Sequence, residues 1–247
     1  MKALVVIPTY NERDNILRLM GRILNIGPGL EVLVVDDNSP DGTGELVKEY
    51  AEKNGRIHLL QRAKKSGIGP AYIAGFKWAL ARDYDCMIEM DADLSHRPRY
   101  IPKFLDKIKE YDVVAGSRWV EGGGIANWSL GRVVLSQLAN VYSKWVLKVP
   151  INDLTGGFTC WRRQVLEGIN LDEIHSDGYS FQIEMKYRAH KKHFRLVEVP
   201  IWFTDRKAGQ SKISRKIVFE ALFLVWVLKF SGADSHASSL ASPAGKP

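Results

Sequence analysis

The chain has 247 residues, of which 45% are hydrophobic and 26% are charged, as in an ordinary globular protein. This composition excludes a collagen-like, low-complexity or wholly disordered chain. Lys and Arg number 35 against 28 Asp and Glu, and the resulting formal charge of +7 favours an anionic partner. Such a partner could be a phosphorylated substrate, a nucleic acid or a membrane surface.

The N-terminal residues MKALVVIP carry one lysine and an apolar run that is too short for the core of a secretory signal. Cys86 and Cys160 lie among apolar residues and lack the spacing of metal ligands. We expect two buried thiols, a reducing compartment and therefore an intracellular protein.

Short apolar and β-branched runs alternate with helical patterns through the first half of the chain. The runs predict strands at residues 3–7, 31–36, 57–61, 86–90 and 112–116. Between them, apolar residues recur every three or four positions, which predicts amphipathic helices. Near-continuous apolar strands separated by such helices are typical of an α/β fold with a Rossmann-like, mostly parallel sheet and helices on both faces.

Polar residues follow the first two predicted strands at the points where these strands end. Thr9 to Glu12 come directly after the first strand, and Asp36 to Ser39 come at the end of the second. Ligands of doubly wound sheets bind beyond the carboxyl ends of the strands. We therefore expect both loops to face one ligand-binding crevice.

The second half of the chain is less regular. The elements it predicts are a glycine-rich loop at 122–124, a long helix at 130–148, a turn at Gly156 and Gly157, and a strand at 196–203. Residues 231–247 are small and polar, and we expect them to form a disordered tail.

The stretch MIEMDADLSHRP places two carboxylates, Asp91 and Asp93, just after the fourth apolar run. Residues two apart in extended backbone share a face, so both carboxylates can meet one hard cation. Mg²⁺ and Mn²⁺ bind one or two carboxylates together with substrate phosphates, so this interpretation implies a bound diphosphate. The alternative is that Asp91 ends a strand and Asp93 caps the next helix.

Two basic features could contact phosphate. Arg132 and Ser136 are four residues apart in the predicted long helix, so they share a face and could grip one phosphate. Otherwise they are a solvated arginine and a buried serine. The segment DRKAGQSKISRK, 205–216, could close over a nucleotide diphosphate, or it is a solvated loop that favours anionic lipid.

Seven stretches stand in a fixed order and spacing: VVIPTYNE, VVDDNSPDGT, MDADLSHRP, AGSRW, DLTGGF, GYSFQIEM and QSKIS. Together they resemble the polyprenol-phosphate mannosyltransferases, also called dolichol-phosphate mannose synthases, which are family 2 glycosyltransferases of the GT-A fold. The resemblance extends from about residue 3 to residue 230. It implies a metal-dependent, inverting enzyme that transfers mannose from GDP-mannose to a polyprenyl phosphate.

The resemblance also implies a role for each matching residue. The residues that would bind the sugar nucleotide are Pro8, Tyr10, Glu12, Val35, Asp37, Asp91, Ala92, Asp93, Arg118, Arg206 and Lys212. The residues that would bind the acceptor phosphate are Arg118, Arg132 and Ser136. Asp91 and Asp93 would hold the metal, Mg²⁺ or Mn²⁺. The catalytic residues would be Asp93, Arg118 and Arg206.

A phosphate acceptor limits the chemistry that is needed. A phosphate monoester is ionised near neutral pH, so it requires positioning and charge balance but no general base. We expect a single in-line displacement that gives a β-mannosyl phosphate. A sugar hydroxyl would need a base, for which Glu184 and Asp177 are candidates, whereas we expect His96 to be a cap or a surface residue.

Two other functions stay open at this point. A related transferase could use another sugar nucleotide, such as UDP-glucose, or a saccharide hydroxyl acceptor. A nucleotide- or nucleic-acid-binding module could use the basic surface, but the sequence has no aromatic RNA-binding signature, helix-turn-helix or zinc pattern. We therefore expect no nucleic-acid partner.

The apolar stretch at 216–230 is shorter than the ~20 residues of a membrane span and is interrupted by Glu220. We expect residues 214–230 to form an amphipathic helix, either at a membrane interface or packed on a domain of residues 1–213. The protein would then associate peripherally with the cytoplasmic face of a membrane, with or without a membrane partner protein.

Overall fold

A computed structural model describes residues 1–204 and 225–230. The strands within these residues are β1 (Ala3–Thr9), β2 (Leu30–Asp36), β3 (Ile57–Gln61), β4 (Cys86–Glu89), β5 (Val113–Ser117), β6 (Gly124–Ala126), β7 (Thr159–Arg162), β8 (Leu196–Pro200) and β9 (Trp202–Thr204). The α-helices are α1 (Arg13–Leu24), α2 (Thr43–Lys53), α3 (Ile68–Leu80), α4 (Ile101–Lys107), α5 (Leu130–Leu147), α6 (Arg163–Gly168) and α7 (Gly178–Lys191). Residues 225–230 are also helical.

The main sheet has the strand order β3-β2-β1-β4-β7-β5-β8. Its neighbouring strands are parallel except around β7, which is antiparallel to both β4 and β5. The predicted α/β fold with a mostly parallel sheet is therefore confirmed. The predicted strand at 196–203 is divided by Ile201 into β8, in the main sheet, and β9, which pairs with β6.

Side chains alternate along the strands and form a core on each face of the sheet. In β1, Val5 and Ile7 pack in the layer that contains α1 and α4, whereas Leu4 and Val6 pack in the layer that contains α3 and α7. Because both faces are covered, the strands are apolar almost throughout, as the sequence pattern indicated.

Buried hydrogen bonds join the loops that follow β1 and β2. The Asp36 carboxylate accepts the Thr9 hydroxyl at 2.8 Å and the Ser39 hydroxyl at 2.6 Å. The Ser39 hydroxyl also accepts the backbone N–H of Asn11 at 3.0 Å. The two loops therefore lie together at one edge of the sheet.

Only part of the predicted helix at 214–230 falls within the described residues. In that part, Val225 and Leu228 are buried in a small core with Val146 and Leu147 at the end of α5. The predicted domain boundary at 213 and the predicted tail at 231–247 lie outside the described residues and stay predictions. In the described part of the chain, no helix combines the length and hydropathy needed to cross a membrane.

The loop at residues 153–157, between α5 and β7, is held by side chains from two neighbouring elements. The side-chain carbonyl of Asn140, on α5, accepts the backbone N–H of Leu154 at 2.7 Å. The carboxylate of Glu198, on β8, accepts the backbone N–H of Asp153 at 2.9 Å. Buried backbone groups need partners, so each bond fixes part of the loop.

Lys186, on α7, is fully buried and binds backbone carbonyls of the loop at 153–157. Its ammonium donates to the carbonyl oxygens of Leu154 at 3.2 Å and Gly156 at 2.6 Å. Burial lowers the pKa of Lys186 to about 8, although the Glu89 carboxylate opposes this change. Burial likewise raises the pKa of Glu89 to about 7, against the effect of Lys186. Lys186 is thus both a donor to the loop and the counter-charge of a buried acid.

Replacing Lys186 by Met should lower the free energy of unfolding by about 3 kcal/mol, because loop carbonyls lose a buried donor and Glu89 loses a buried cation. Urea denaturation measures this loss. The control is Lys77→Met, which removes an exposed ion pair with Asp172 and should cost about 0.5 kcal/mol or less. Equal losses in the two variants would contradict the role assigned to Lys186.

Candidate active site

Two adjoining cavities lie beyond the carboxyl ends of β1, β2 and β4. The first has a volume of about 210 Å³ and is lined by residues that follow these three strands. The second has a volume of about 80 Å³ and is lined in part by the loop at 153–157 and by Arg132 at the start of α5. Asp91 and Asp93 line both cavities. The acidic pair therefore lies where the two cavities meet.

The first cavity brings together most of the residues predicted to bind the sugar nucleotide. Those that line it are Pro8, Tyr10, Glu12, Asp37, Asp91, Ala92 and Asp93. Asp37 is already braced, because its carboxylate accepts Arg62 Nη1 at 2.8 Å and the backbone N–H of Ser66 at 3.2 Å. The crevice predicted from the strand ends is therefore present, and its rim is fixed by ionic contacts.

Lys65 is a cavity residue that the sequence analysis did not single out. Its ammonium lies 3.9 Å from the centre of the Tyr10 ring, and it lines the first cavity. A cation over an aromatic face is attracted by the quadrupole of the ring. The basic run AKKSG before α3 was the available signal. Lys65 places positive charge beside the predicted nucleoside site.

Val35 differs from the other predicted nucleotide contacts. Its side chain is fully buried in the core between the sheet and α3, and it lines neither cavity. A β-carbon added at Gly75 of α3 would lie 3.2 Å from Val35 Cγ2, so the packing there is tight. Because strand alternation turns the Val35 side chain into the core, only the backbone of Val35 could contact a nucleotide.

The acidic pair is held in a fixed loop conformation. Tyr72 Oη donates to Asp91 Oδ1 at 3.3 Å, and Asp93 Oδ1 accepts the backbone N–H of Ser95 at 3.0 Å. Burial and the nearby Asp91 raise the pKa of Tyr72 well above its ordinary value, so the phenol stays a donor. The Asp93 bond lies within the loop, before the turn of 3₁₀ helix at Pro98–Tyr100, and it caps neither that turn nor α4.

The pair suits a cation that takes its other ligands from a substrate. Within residues 1–204 and 225–230, no group of three or more His, Cys, Asp or Glu side chains is arranged to hold a metal. Two neighbouring carboxylates without a cation repel each other. Mg²⁺ and Mn²⁺ are commonly bound through one or two carboxylates and completed by phosphate and water. This donor set therefore fits a nucleotide-bound divalent metal.

The expectation that His96 is a cap or a surface residue is wrong. The side chain is only 3% exposed, and its ring stacks on Phe158 with 5.0 Å between the ring centres. His96 Nδ1 accepts the backbone N–H of Asp91 at 3.1 Å. The sequence placed His96 in a turn before Pro98, but aromatic packing from Phe158, just before β7, and from Phe203, on β9, buries it. His96 therefore fixes the backbone of the acidic pair.

Arg118 lines the second cavity, where its charge is largely balanced by Asp153. Its Nε and Nη2 donate to the two oxygens of Asp153 at 2.7 and 2.6 Å, and Nη2 also donates to Thr155 Oγ1 at 2.9 Å. Burial alone would raise the pKa of Asp153, but the guanidinium holds it below its ordinary value. Arg118 was predicted as a phosphate ligand, and the structure shows that it also belongs to a buried ion pair.

Arg132 and Ser136 share the inward face of α5, as their spacing predicted, but only Arg132 lines the second cavity. The Arg132 guanidinium lies 3.9 Å from the centre of the Trp128 ring. Ser136 is half-buried one turn further on, and its carbonyl accepts Asn140 Nδ2 at 2.8 Å. Ser136 therefore stays a predicted ligand that this conformation keeps outside the cavity.

Trp128 adds a hydrogen-bond donor that the sequence analysis missed. It lines the second cavity, and its indole Nε1 is buried without an acceptor among the described residues. A buried indole N–H normally has a partner. The second cavity thus combines two guanidinium groups with a donor that suits an anion.

The two carboxylates considered as bases for a hydroxyl acceptor line neither cavity. Glu184 accepts Arg188 Nε at 2.8 Å and the Ser176 hydroxyl. Asp177 accepts the backbone N–H of Gly69 at 2.8 Å, at the start of α3. Both side chains are engaged in structural contacts.

Arg206 and Lys212 lie outside the described residues. Their predicted contacts with the nucleotide diphosphate therefore stay predictions, as does the catalytic role of Arg206.

Comparisons with known proteins identify the family of the chain. Residues 4–169 match the family described as glycosyl transferase family 2. The polyprenol monophosphomannose synthase of Mycolicibacterium smegmatis is 47% identical over 91% of this chain and 85% of its own length. The undecaprenyl-phosphate mannosyltransferase of Micrococcus luteus is 44% identical over 90% of this chain and 91% of its own length.

Solved structures show the same fold at lower identity. Glucosyl-3-phosphoglycerate synthase from Mycobacterium tuberculosis, in complex with Mn²⁺, UDP and glucosyl-3-phosphoglycerate, gives a TM-score of 0.64 at 17% identity, over 96% of this chain and 81% of that one. A mannosyltransferase from Pyrobaculum calidifontis, in complex with GDP-Man and Mn²⁺, gives 0.58 at 20% identity, over 85% of this chain and 58% of that one. The fold is thus that of known nucleotide-sugar transferases, and the sequence matches show that the chain belongs to glycosyltransferase family 2.

Proposed function

We propose that this enzyme transfers mannose from GDP-mannose to a polyprenyl phosphate, with inversion, to give a polyprenyl β-mannosyl phosphate and GDP. The observation that carries the proposal is the acidic pair, Asp91 and Asp93, at the junction of an acidic cavity and an arginine-lined cavity. Two substrates can then meet at the metal site. The two sequence relatives are named as a polyprenol monophosphomannose synthase and an undecaprenyl-phosphate mannosyltransferase, which supports this choice of donor sugar and acceptor.

The first cavity is the proposed donor site. Tyr10 and Asp37 would bind the nucleoside, and Asp91 and Asp93 would hold Mg²⁺ or Mn²⁺. A bound divalent cation supplies Lewis acidity that stabilises the departing diphosphate. The complexes of Mn²⁺ with nucleotide ligands in two proteins of the same fold support this assignment.

The second cavity is the proposed acceptor site. Arg132 and the indole N–H of Trp128 would bind the acceptor phosphate. Arg118, which lines the same cavity, would add positive charge. A phosphate oxygen attacks the anomeric carbon and forms a new C–O bond, while the bond from that carbon to the β-phosphate oxygen of GDP breaks. The attacking oxygen is already ionised, and the leaving oxygen takes the bonding electron pair as GDP departs, so no proton has to move.

The carboxylates of the second cavity, as far as the structure describes it, favour a phosphate over a hydroxyl acceptor. Among the described residues that line the second cavity, the carboxylates are the two predicted metal ligands, and His96 uses Nδ1 to accept a backbone N–H. A sugar hydroxyl would need a base within hydrogen-bond reach. A saccharide hydroxyl is therefore the second candidate acceptor, and a donor screen decides between GDP-mannose and UDP-glucose.

Contact with a membrane follows from the acceptor. A polyprenyl chain stays in lipid, so we propose that the enzyme works peripherally at the cytoplasmic face of a membrane. A membrane partner protein stays possible in addition, and the two cavities would supply one site for each proposed substrate.

The direct test is incubation of the purified protein with Mg²⁺ or Mn²⁺, radiolabelled GDP-mannose and polyprenyl phosphate, followed by organic extraction. Label should enter the organic phase and depend on the metal. A parallel arm uses UDP-glucose. Label that enters the organic phase from UDP-glucose alone would replace the donor assignment, and label that stays aqueous in every arm would refute the proposal.

Asp93→Asn keeps the shape of the side chain and removes one negative charge from the acidic pair. We expect transfer to fall by about 100-fold or more. The variant would bind the divalent cation more weakly, so the negative charge that develops on the departing diphosphate would be less well stabilised. Metal-dependent binding of GDP, measured by calorimetry, should fall as well, and the melting temperature should not. The control is Asp106→Asn on the exposed surface of α4, which should retain full activity.

Arg132→Gln removes a cation from the proposed acceptor site only. The KM for polyprenyl phosphate should rise about tenfold or more, since a hydrogen bond to a charged group is lost. GDP affinity should stay unchanged. Arg22→Gln, on the exposed side of α1, is the matched control. A parallel loss of GDP affinity in Arg132→Gln would place this arginine in the donor site.

A further inference from the structure

The outer face of α5 carries a stripe of exposed apolar side chains. The members of this stripe and their exposed fractions are Leu130 (82%), Val134 (51%), Leu138 (61%), Val141 (66%) and Trp145 (73%). Their spacing of four, four, three and four residues places them within an arc of about 80° on a helix with 100° per residue. They form one continuous surface, here called the apolar face of α5.

Of the four buried residues of α5, Asn140 and Ser143 are polar, whereas Val146 and Leu147, in the last turn, are apolar. Asn140 and Ser143 are buried at 2% exposure, and Asn140 is bonded to the loop at 153–157. A surface helix of a water-soluble domain normally buries its apolar stripe and exposes its polar one. Exposed apolar patches rimmed by polar residues mark interaction sites with proteins, membranes or ligands. The apolar face of α5 is therefore expected to have an occupant.

The charge around this face fits an anionic lipid surface. Between Glu121 and Asp153 the sequence has no acidic residue. Lys144 and Lys148 lie at the C-terminal end of α5. Acidic lipid head groups would attract these lysines. An exposed Trp beside lysines is also typical of membrane-interface helices.

The helix at 225–230 extends the same surface. Val225 and Leu228 pack on the end of α5, whereas Trp226 is 38% and Phe230 is 76% exposed. Lys229 Nζ lies 5.0 Å from the centre of the Trp226 ring. This second helix adds apolar and basic groups of the same kind next to the first.

The face adjoins the proposed acceptor site. Arg132, which lines the second cavity, stands between Leu130 and Val134 in the chain and on the opposite side of the helix. The chain of a polyprenyl phosphate bound there would need to pass only one helix diameter, about 10 Å, to reach the apolar face. The lipid would then run from the cavity into a bilayer on which α5 lies.

We propose that the apolar face of α5 inserts into the interfacial region of a lipid bilayer and presents the second cavity to polyprenyl phosphates in that bilayer. The role of the bilayer as the source of acceptor rests on the proposed function, whereas the docking of α5 on lipid does not. The two parts can therefore be tested apart.

The test compares the wild-type chain with the double variant Leu138→Glu, Val141→Glu in flotation with vesicles of phosphatidylglycerol and phosphatidylcholine. Both residues are exposed and line neither cavity, so folding and the active site should be unaffected. The matched control is Tyr50→Glu on α2, where the side chain is 43% exposed. The wild type and Tyr50→Glu should float, and the double variant should float at least about tenfold less, since charged groups are costly in the interface.

Transfer assays give the second measurement. The double variant should match the wild type on a short, water-soluble prenyl phosphate and be at least about tenfold slower on polyprenyl phosphate in vesicles. Equal flotation of the wild type and the double variant would overturn the docking of α5. Sedimentation could instead show that the wild type is a dimer and the double variant a monomer. That result would assign the apolar face of α5 to a second copy of the chain and would also overturn the docking of α5 on lipid. Flotation as expected without any transfer would leave the docking standing and refute the proposed function.

Discussion

The buried ion pair between Arg118 and Asp153 fixes the geometry on which the second cavity depends. Arg118 follows the end of β5, and Asp153 begins the loop that Asn140, Lys186 and Glu198 also hold. A buried charge without its partner costs several kcal/mol, so neither residue is stable in this position without the other. The pair therefore connects the carboxyl end of β5 to the loop at 153–157. It also balances most of the charge of Arg118, and Arg132 is the second guanidinium that lines this cavity.

This arrangement explains how two anions can be brought together. A sugar-nucleotide diphosphate and an acceptor phosphate repel each other, and Asp91 and Asp93 add further negative charge between them. A divalent cation offsets part of that repulsion, and Lys65 and Arg132 offset more from the two sides. Preorganised charge is effective because it need not rearrange during the reaction. The basic segment at 205–216 lies outside the described residues, so the roles of Arg206 and Lys212 stay predictions that the family resemblance implies.

The parts of the site that the sequence predicted depend on local spacing and on a general rule of sheets. Tyr10 and Asp91 follow strands, and the carboxyl ends of parallel strands meet at one edge, so their convergence did not require knowledge of the packing. The parts that it missed depend on partners far along the chain. Arg118 pairs with a carboxylate 35 residues away, and Lys186 holds a carbonyl 30 residues away. The antiparallel β7, with four residues, is also too short to show a period of its own.

The periodicity of α5 predicted a helix but did not indicate which side faces the protein. A helix normally turns its apolar side inward because burial of apolar surface stabilises the fold. Here the inner side must satisfy the loop at 153–157 and carry Arg132 to the cavity, so polar residues such as Asn140 are placed there instead. The apolar residues are then left outside, where only a nonpolar environment makes them favourable. A bilayer that carries the proposed polyprenyl phosphate acceptor would supply that environment next to the second cavity, and a single helix would then contact the substrate phosphate on one side and lipid on the other.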